Sequence, residues 1–283
     1  MTVGRKGVRD MVVSEGWQLN LVEQIDSFMK LSPNVLAMIQ YGSAIDQRGL
    51  FDVWSDIDLL IVLKDGTLGE FFPSIEWTKP FGNLLAFEQY QNANNVLIRT
   101  CFNDLSRIDF VFTTESALLN IHDWGTTYLW KPPIIRFSKS SIVTKTLMQT
   151  VPCPQPPLIS PEQFTDMINH FWFRAATAVT KVVRNDLLIA LHLALESVQD
   201  CCVLEMLHRD RREGTNHHRS GGTGNILVTK LQANQLPYTN VGILDTIANC
   251  CMLFDTLAKQ WTDTYYERSQ PILKWIDQAK ECL

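Results

Sequence analysis

Residues 55–63 read Ser-Asp-Ile-Asp-Leu-Leu-Ile-Val-Leu. The run Ile57–Leu63 is apolar but for one residue and rich in Leu and Ile, the pattern of a buried strand. Successive strand side chains alternate faces, so Asp56 and Asp58 point one way and Ile57 points the other, into the core. Two carboxylates side by side repel and cost stability unless a cation sits between them. Taken alone, such a pair reads as a solvated strand end. Its neighbours change the reading.

Upstream, Val35–Tyr41 (VLAMIQY) is a second mostly apolar run that stops at Gly42-Ser43. It predicts a buried strand entering a tight turn. Before it, Leu21, Val22, Ile25, Phe28 and Met29 form one stripe of a helix, closed by Ser32-Pro33-Asn34. Downstream, residues 84–91, 96–102 and 107–113 predict three more strands, with turns at 91–95 and 103–106. The last of them, Arg107-Ile-Asp-Phe-Val-Phe112, carries an acid inside an apolar strand, and a buried Asp needs a partner. If the strands of Asp58 and Asp109 are neighbours, Asp56, Asp58 and Asp109 converge within about 4–5 Å, the reach of a shared divalent ion. Three hard oxygen ligands suit Mg²⁺, which is commonly shared with substrate phosphates. The Gly42-Ser43 turn then has a use: its backbone N–H groups and the Ser43 hydroxyl can hold terminal phosphates, and Gly42 lets the backbone come close.

Composition sets the bounds. Of 283 residues, 46% are hydrophobic and 19% charged, which excludes a disordered or low-complexity chain. A net charge of −5 argues against a nucleic-acid partner, which needs a basic footprint. Seven cysteines, an odd number with no C-x-x-C pair, point to a reducing compartment and to small core residues. The N-terminus lacks the apolar run of a signal peptide. The longest apolar stretch, residues 187–195, is too short to span a bilayer, so a cytoplasmic protein without membrane contact is expected.

The second half is different in kind. Residues 151–161 (VPCPQPPLISP) hold five prolines and read as a stiff linker between a catalytic domain over 1–150 and a helical domain over 162–283. Ser160-Pro161-Glu162-Gln163 has the form of a helix start. Phe164, Met167, Ile168, Phe171, Trp172, Ala175, Val179, Val182 and Val183 then make one stripe. A second helix carries Leu187, Leu188, Leu191, Leu195, Val198, Cys202 and Leu207. Residues 209–225 read as a polar, Gly-rich loop, and two or three helices fill 226–283, giving a helical bundle. The fold class expected is α+β: a mixed sheet with flanking helices, then the bundle.

The order strand, Gly-Ser, Asp-x-Asp, later strand Asp resembles the nucleotidyltransferase superfamily of DNA polymerase beta. Asp56 follows Ser43 by 13 residues, a distance similar to that in the aminoglycoside 6-adenylyltransferases, which the chain resembles over about residues 20–270. Those enzymes share the Arg-Ile-Asp strand and a Phe-Trp pair ahead of an Arg- and acid-containing helix start, here Phe171-Trp172 and Arg184-Asn185-Asp186. The chain departs from them at Ile57, where they have Tyr, and at Ala44, where they have Arg.

The resemblance implies in-line transfer of AMP from ATP to a hydroxyl of a small cationic acceptor such as streptomycin, releasing pyrophosphate. It implies two Mg²⁺ ions held by Asp56, Asp58 and Asp109. It also implies nucleotide contacts from Gly42, Ser43, Ser55 and Arg219. His192 or Glu196, one turn apart, is expected to take the acceptor proton. Trp172, Glu196, Asp200 and Glu205 are expected to face a polycation in a cleft between the domains. The His217-His218 pair reads as solvated loop. A monomer or homodimer is expected. A lincosamide or a protein hydroxyl as acceptor, and a non-catalytic binding or toxin–antitoxin module, are the alternatives.

Overall fold

The computed structural model describes residues 16–45, 52–121, 133–149, 159–213, 225–231 and 238–283. The chain divides into two compact units, Met1–Pro154 and Gln155–Leu283.

The first unit is a six-stranded mixed sheet in the order β3-β4-β5-β2-β1-β6. Its strands are β1 (Val35–Tyr41), β2 (Ile57–Leu63), β3 (Leu84–Gln91), β4 (Asn95–Phe102), β5 (Arg107–Thr114) and β6 (Ile134–Ser138). All neighbours are antiparallel except β2 and β5, which run parallel. Five strands lie where the apolar runs put them. The sixth, β6, was not read from its five residues, none of which is fully buried. It completes the edge beside β1.

Both sheet faces are covered, which is why β2 is apolar almost throughout. On one face, Ile57, Leu59, Ile61 and Leu63 of β2 and Ile108, Phe110 and Phe112 of β5 pack with Leu21, Val22, Ile25 and Met29 of helix α1 (Trp17–Leu31). On the other face, Leu60, Val62, Val111, Ile39 and Tyr41 pack under Leu118 of α2 (Glu115–Leu118) and Val143 and Leu147 of α3 (Ser141–Met148). Asp58 and Asp109 belong to this second face by alternation, each two residues before an apolar member of the row.

The second unit is a helical bundle of α4 (Pro161–Val183), α5 (Leu187–Glu213), α6 (Asn225–Leu231), α7 (Asn240–Trp261) and α8 (Ser269–Glu281). Helix α4 opens with a complete capping box: Ser160 Oγ accepts from Gln163 N, and Gln163 Oε1 accepts from Ser160 N. Asn185, with φ 57°, makes the turn into α5. The core joins Phe171, stacked on Phe254 at 3.8 Å, to Ala190, Ala194, Cys201, Leu204, Cys250 and Cys251.

Three expectations are corrected here. The stripe read on α5 holds only in part: Leu187, Leu191, Val198 and Cys202 pack against the core, but Leu188 and Leu195 are exposed, and the fully buried positions are Ala190, Ala194, Ser197, Cys201 and Leu204. Helix α5 packs against both α4 and α7, and small residues let helices approach closely. Next, the loop read from residue 209 begins later, because α5 continues to Glu213 with Arg209 and Asp210 buried. Last, an 18-residue stretch of α5 reaches a mean hydropathy of 1.7 and one of α7 reaches 1.4, so both helices are long and apolar enough to cross a membrane by length and composition, although residues 187–195 alone are not. The apolar stretch of α7 is 67% buried inside the bundle.

Candidate active site

β2 and β5 are parallel neighbours in the register Asp58↔Asp109. Paired residues put their side chains on the same face, so the two carboxylates stand next to each other. Asp56, two residues before Asp58, adds the third. One oxygen from each of Asp56, Asp58 and Asp109 lies within 4.8 Å of the other two. Asp58 and Asp109 are 2% and 7% exposed. At such separations each carboxylate pair repels by about 3 kcal/mol at an effective dielectric of about 20. A structure that buries this repulsion has its partner in a cation. Three carboxylate oxygens are the donor set of a hard divalent metal, so the residues fit the group that the acids imply.

Gly42 is fixed by the same carboxylate. It ends β1 and opens a short 3-10 helix, Gly42–Ile45, with φ 73°. A Cβ there would lie 1.9 Å from Asp58 Oδ2 and 2.6 Å from its Cγ. Only glycine permits both that backbone conformation and that approach. Next to it, the Ser43 hydroxyl is buried without a hydrogen-bond partner among the described residues. Such a hydroxyl, next in the chain to the glycine that abuts Asp58, could serve a ligand.

Asp56 precedes its strand and is held by the turn before it. Asp52 Oδ1 accepts from Trp54 N and from Ser55 Oγ, and Ser55 Oγ accepts from Asp52 N. Three side chains tie this turn to the unit. Trp17 Nε1 donates to Val53 O, Gln18 Nε2 donates to Asp52 O, and Arg107 donates to Trp54 O. Ser55 is thus a turn former whose hydroxyl is engaged with Asp52. The sequence reading missed this anchoring, because a buried Gln and a Trp at a helix start carry no local mark of a distant partner.

The reading also missed Arg99. It stands opposite Asp109 in β4, and opposite Glu88 in β3. Its Nε is 3.1 Å from Asp109 Oδ2, and its Nη1 is 3.4 Å from Glu88. The Asp109 charge pushes the Arg99 guanidinium up from its ordinary range; burial opposes this, and Glu88 and Asp56 add to it. One row therefore crosses the sheet as Glu88, Arg99, Asp109, Asp58 and Tyr41. A signal was present: an arginine inside VLIRTCF, with the 103–106 turn setting the hairpin register that places it against Asp109.

In the helical unit, His192 Nε2 lies 3.7 Å from Glu196 Oε1, with His192 largely exposed. Glu196 Oε2 is 2.9 Å from Arg174 Nε, and the same guanidinium binds Asp200. Burial pushes the Asp200 carboxyl up, and Arg174 pulls it back. The two acids expected to await a cation are thus already bridged by one. Glu205 is half-buried. Trp172 does not line a cleft. It is buried in the bundle, its Nε1 donating to Tyr265 Oη and its ring edge-on to Phe171, since the core can both cover the indole and satisfy its N–H. Arg219 and the His217-His218 pair lie outside the described residues.

A family model described as streptomycin adenylyltransferase matches residues 18–217. Among solved structures, an aminoglycoside 6-adenyltransferase from Bacillus subtilis is 14% identical over 93% of this chain and 97% of its own, with a TM-score of 0.42. A nucleotidyltransferase-like protein from Exiguobacterium sibiricum is 11% identical over 93% of this chain and 73% of its own, with a TM-score of 0.30. No curated protein matches. The family match runs through the glycine turn, all three acids and the first two helices of the bundle, and the chain accordingly belongs to the streptomycin adenylyltransferase family, among the nucleotidyltransferases.

Proposed function

We propose that the chain transfers AMP from ATP to a hydroxyl of an aminoglycoside, with streptomycin the first acceptor to test, and releases pyrophosphate. The observation that carries the reading is the convergence of Asp56, Asp58 and Asp109 within 4.8 Å beside the Gly42-Ser43 turn, in a chain of this family. The backbone of that turn and the free Ser43 hydroxyl hold the terminal phosphates. The three carboxylates hold divalent metal, Mg²⁺ by their oxygen chemistry. When bound, such metal neutralises phosphate charge and makes the acceptor hydroxyl more acidic. The turn anchored by Trp17, Gln18 and Arg107 keeps Asp56 in place, so that positioning rather than covalent chemistry does the work. His192, with Glu196 beside it, takes the acceptor proton. ATP as co-substrate places the reaction in the cytoplasm.

A second reading is favoured by one observation. Arg174 binds both Glu196 and Asp200, which leaves less negative charge for a polycation and makes room for a weakly charged acceptor such as a lincosamide. Pyrophosphate release, measured with ATP or GTP against a panel of aminoglycosides and lincosamides, decides between them. Turnover with streptomycin that disappears in Asp58→Asn is expected. Release with lincosamides alone overturns the aminoglycoside reading, and undiminished turnover in Asp58→Asn overturns the acid site.

A further inference from the structure

Arg99 has no place in the transfer chemistry, yet it is bonded to one of the three acids. Its Nε meets Asp109 Oδ2 at 3.1 Å, and the pair is shielded on the Asp109 side, where the side chain is 10% exposed against 46% for Arg99. The register makes this contact obligatory: Arg99 and Asp109 face each other across β4 and β5, as Asp109 and Asp58 do across β5 and β2. Asp109 thus sits between a fixed positive charge on one side and two negative charges on the other. Unlike a metal ion, a guanidinium on a strand cannot leave with product. Unlike a histidine, it does not lose its charge at any physiological pH.

We infer that Arg99 is a resident counter-cation for the acid triad. It holds Asp109 when no metal is bound, and it lowers the triad's affinity for a free divalent ion. The inference rests on the reading of Asp56, Asp58 and Asp109 as metal ligands. Two effects follow from one charge. In the metal-free protein, Arg99 offsets part of the repulsion among three carboxylates, two of them buried. In the loaded protein, the same charge repels the incoming ion and competes for Asp109. Metal is then held firmly only when the phosphates of a nucleotide contribute further oxygen ligands, so the site loads with metal and nucleotide together and stays largely empty of metal between turnovers. A residue that merely braced the sheet would produce neither the opposed signs nor the nucleotide dependence. Glu88, at 3.4 Å and exposed, is the outer partner of Arg99 and weighs less in this balance than Asp109.

The test is Mn²⁺ binding to the full chain without nucleotide, by electron paramagnetic resonance and calorimetry, together with thermal unfolding in EDTA and in saturating Mn²⁺. Arg99→Met is expected to bind Mn²⁺ about tenfold more tightly than the wild type, the scale of one removed charge near the ion. It is also expected to melt lower in EDTA and to gain more from Mn²⁺. Arg99→Lys, which keeps the charge, should stay within about threefold of wild-type affinity. If Arg99→Met does not fold in EDTA but folds in Mn²⁺, the inference stands. If it folds in neither, Arg99→Gln carries the affinity comparison. Equal or weaker Mn²⁺ binding by the neutral variants overturns the inference while leaving the metal site intact. Absence of Mn²⁺ binding at millimolar concentration in wild type, Arg99→Met and Asp58→Asn alike removes the metal-site reading itself.

Discussion

Replacing Gly42 by alanine tests the site through a single methyl group. The added Cβ falls 1.9 Å from Asp58 Oδ2, 2.6 Å from Cγ and 3.0 Å from Cβ, where ordinary contact begins at 3.4 Å. The carboxylate must therefore retreat by about 1.5 Å, or the turn must open by as much. Holding an L-residue at φ 73° adds roughly 1–2 kcal/mol. Because the collision is relieved by moving one side chain, folding loses little beyond that backbone cost. The site loses far more, since a ligand misplaced by more than 1 Å costs about 10²-fold or more in rate. Gly42→Ala should thus lower kcat/KM for pyrophosphate release by at least about 10²-fold, weaken Mn²⁺ binding, and retain its circular dichroism. The double variant Gly42→Ala/Asp58→Ala removes the two shortest contacts and leaves only the 3.0 Å approach to the Cβ of residue 58, so there the glycine change should cost little more than the roughly 1–2 kcal/mol of the backbone term, and activity should not return. Wild-type kcat/KM and Mn²⁺ affinity in Gly42→Ala would refute the reasoning, because Asp58 would then not need the position it occupies.

Gln18→Ala removes the amide that holds the Asp52–Ser55 turn. Turnover should fall by about tenfold with a stability loss near 1 kcal/mol, and a fall in stability without any fall in kcat would show that the turn does not position Asp56. Native-state alkylation followed by mass spectrometry should label Cys282, which is exposed, and spare Cys201 and Cys251. The Cys201 thiol is pushed up by its contact with Cys250 and by burial, and the Cys251 thiol is pushed up by burial first. Rapid labelling of either would contradict the packing of α5 on α7.

Much of this protein was legible from local pattern. The two-residue alternation at 56–63 fixed which face carried Asp56 and Asp58, and central strands such as β2 were legible because a strand buried on both faces has to be apolar throughout, whereas the exposed edge strand β3 was legible from the turn that follows it at 91–95. Ser160-Pro161-Glu162-Gln163 fixed a helix start, since capping is settled by residues three apart. What needed the tertiary structure was every property that depends on a neighbour distant in the chain. That β2 and β5 are adjacent and parallel, in the register that brings Asp109 to Asp58, is a matter of strand order, which no run of residues encodes. Helix α5 packs on both α4 and α7, and which of its positions are most buried (Ala190, Ala194, Ser197, Cys201 and Leu204, with Leu188 and Leu195 outward) was set by those neighbours rather than by the leucines alone. Arg174 is an unremarkable charge in the sequence, and Arg99 is marked only by standing inside a mostly apolar strand. Folding brings each onto carboxylates 10 to 26 residues away, and so decides which acids meet a built-in cation and which, like Asp56, have none of the described arginines as a salt-bridge partner.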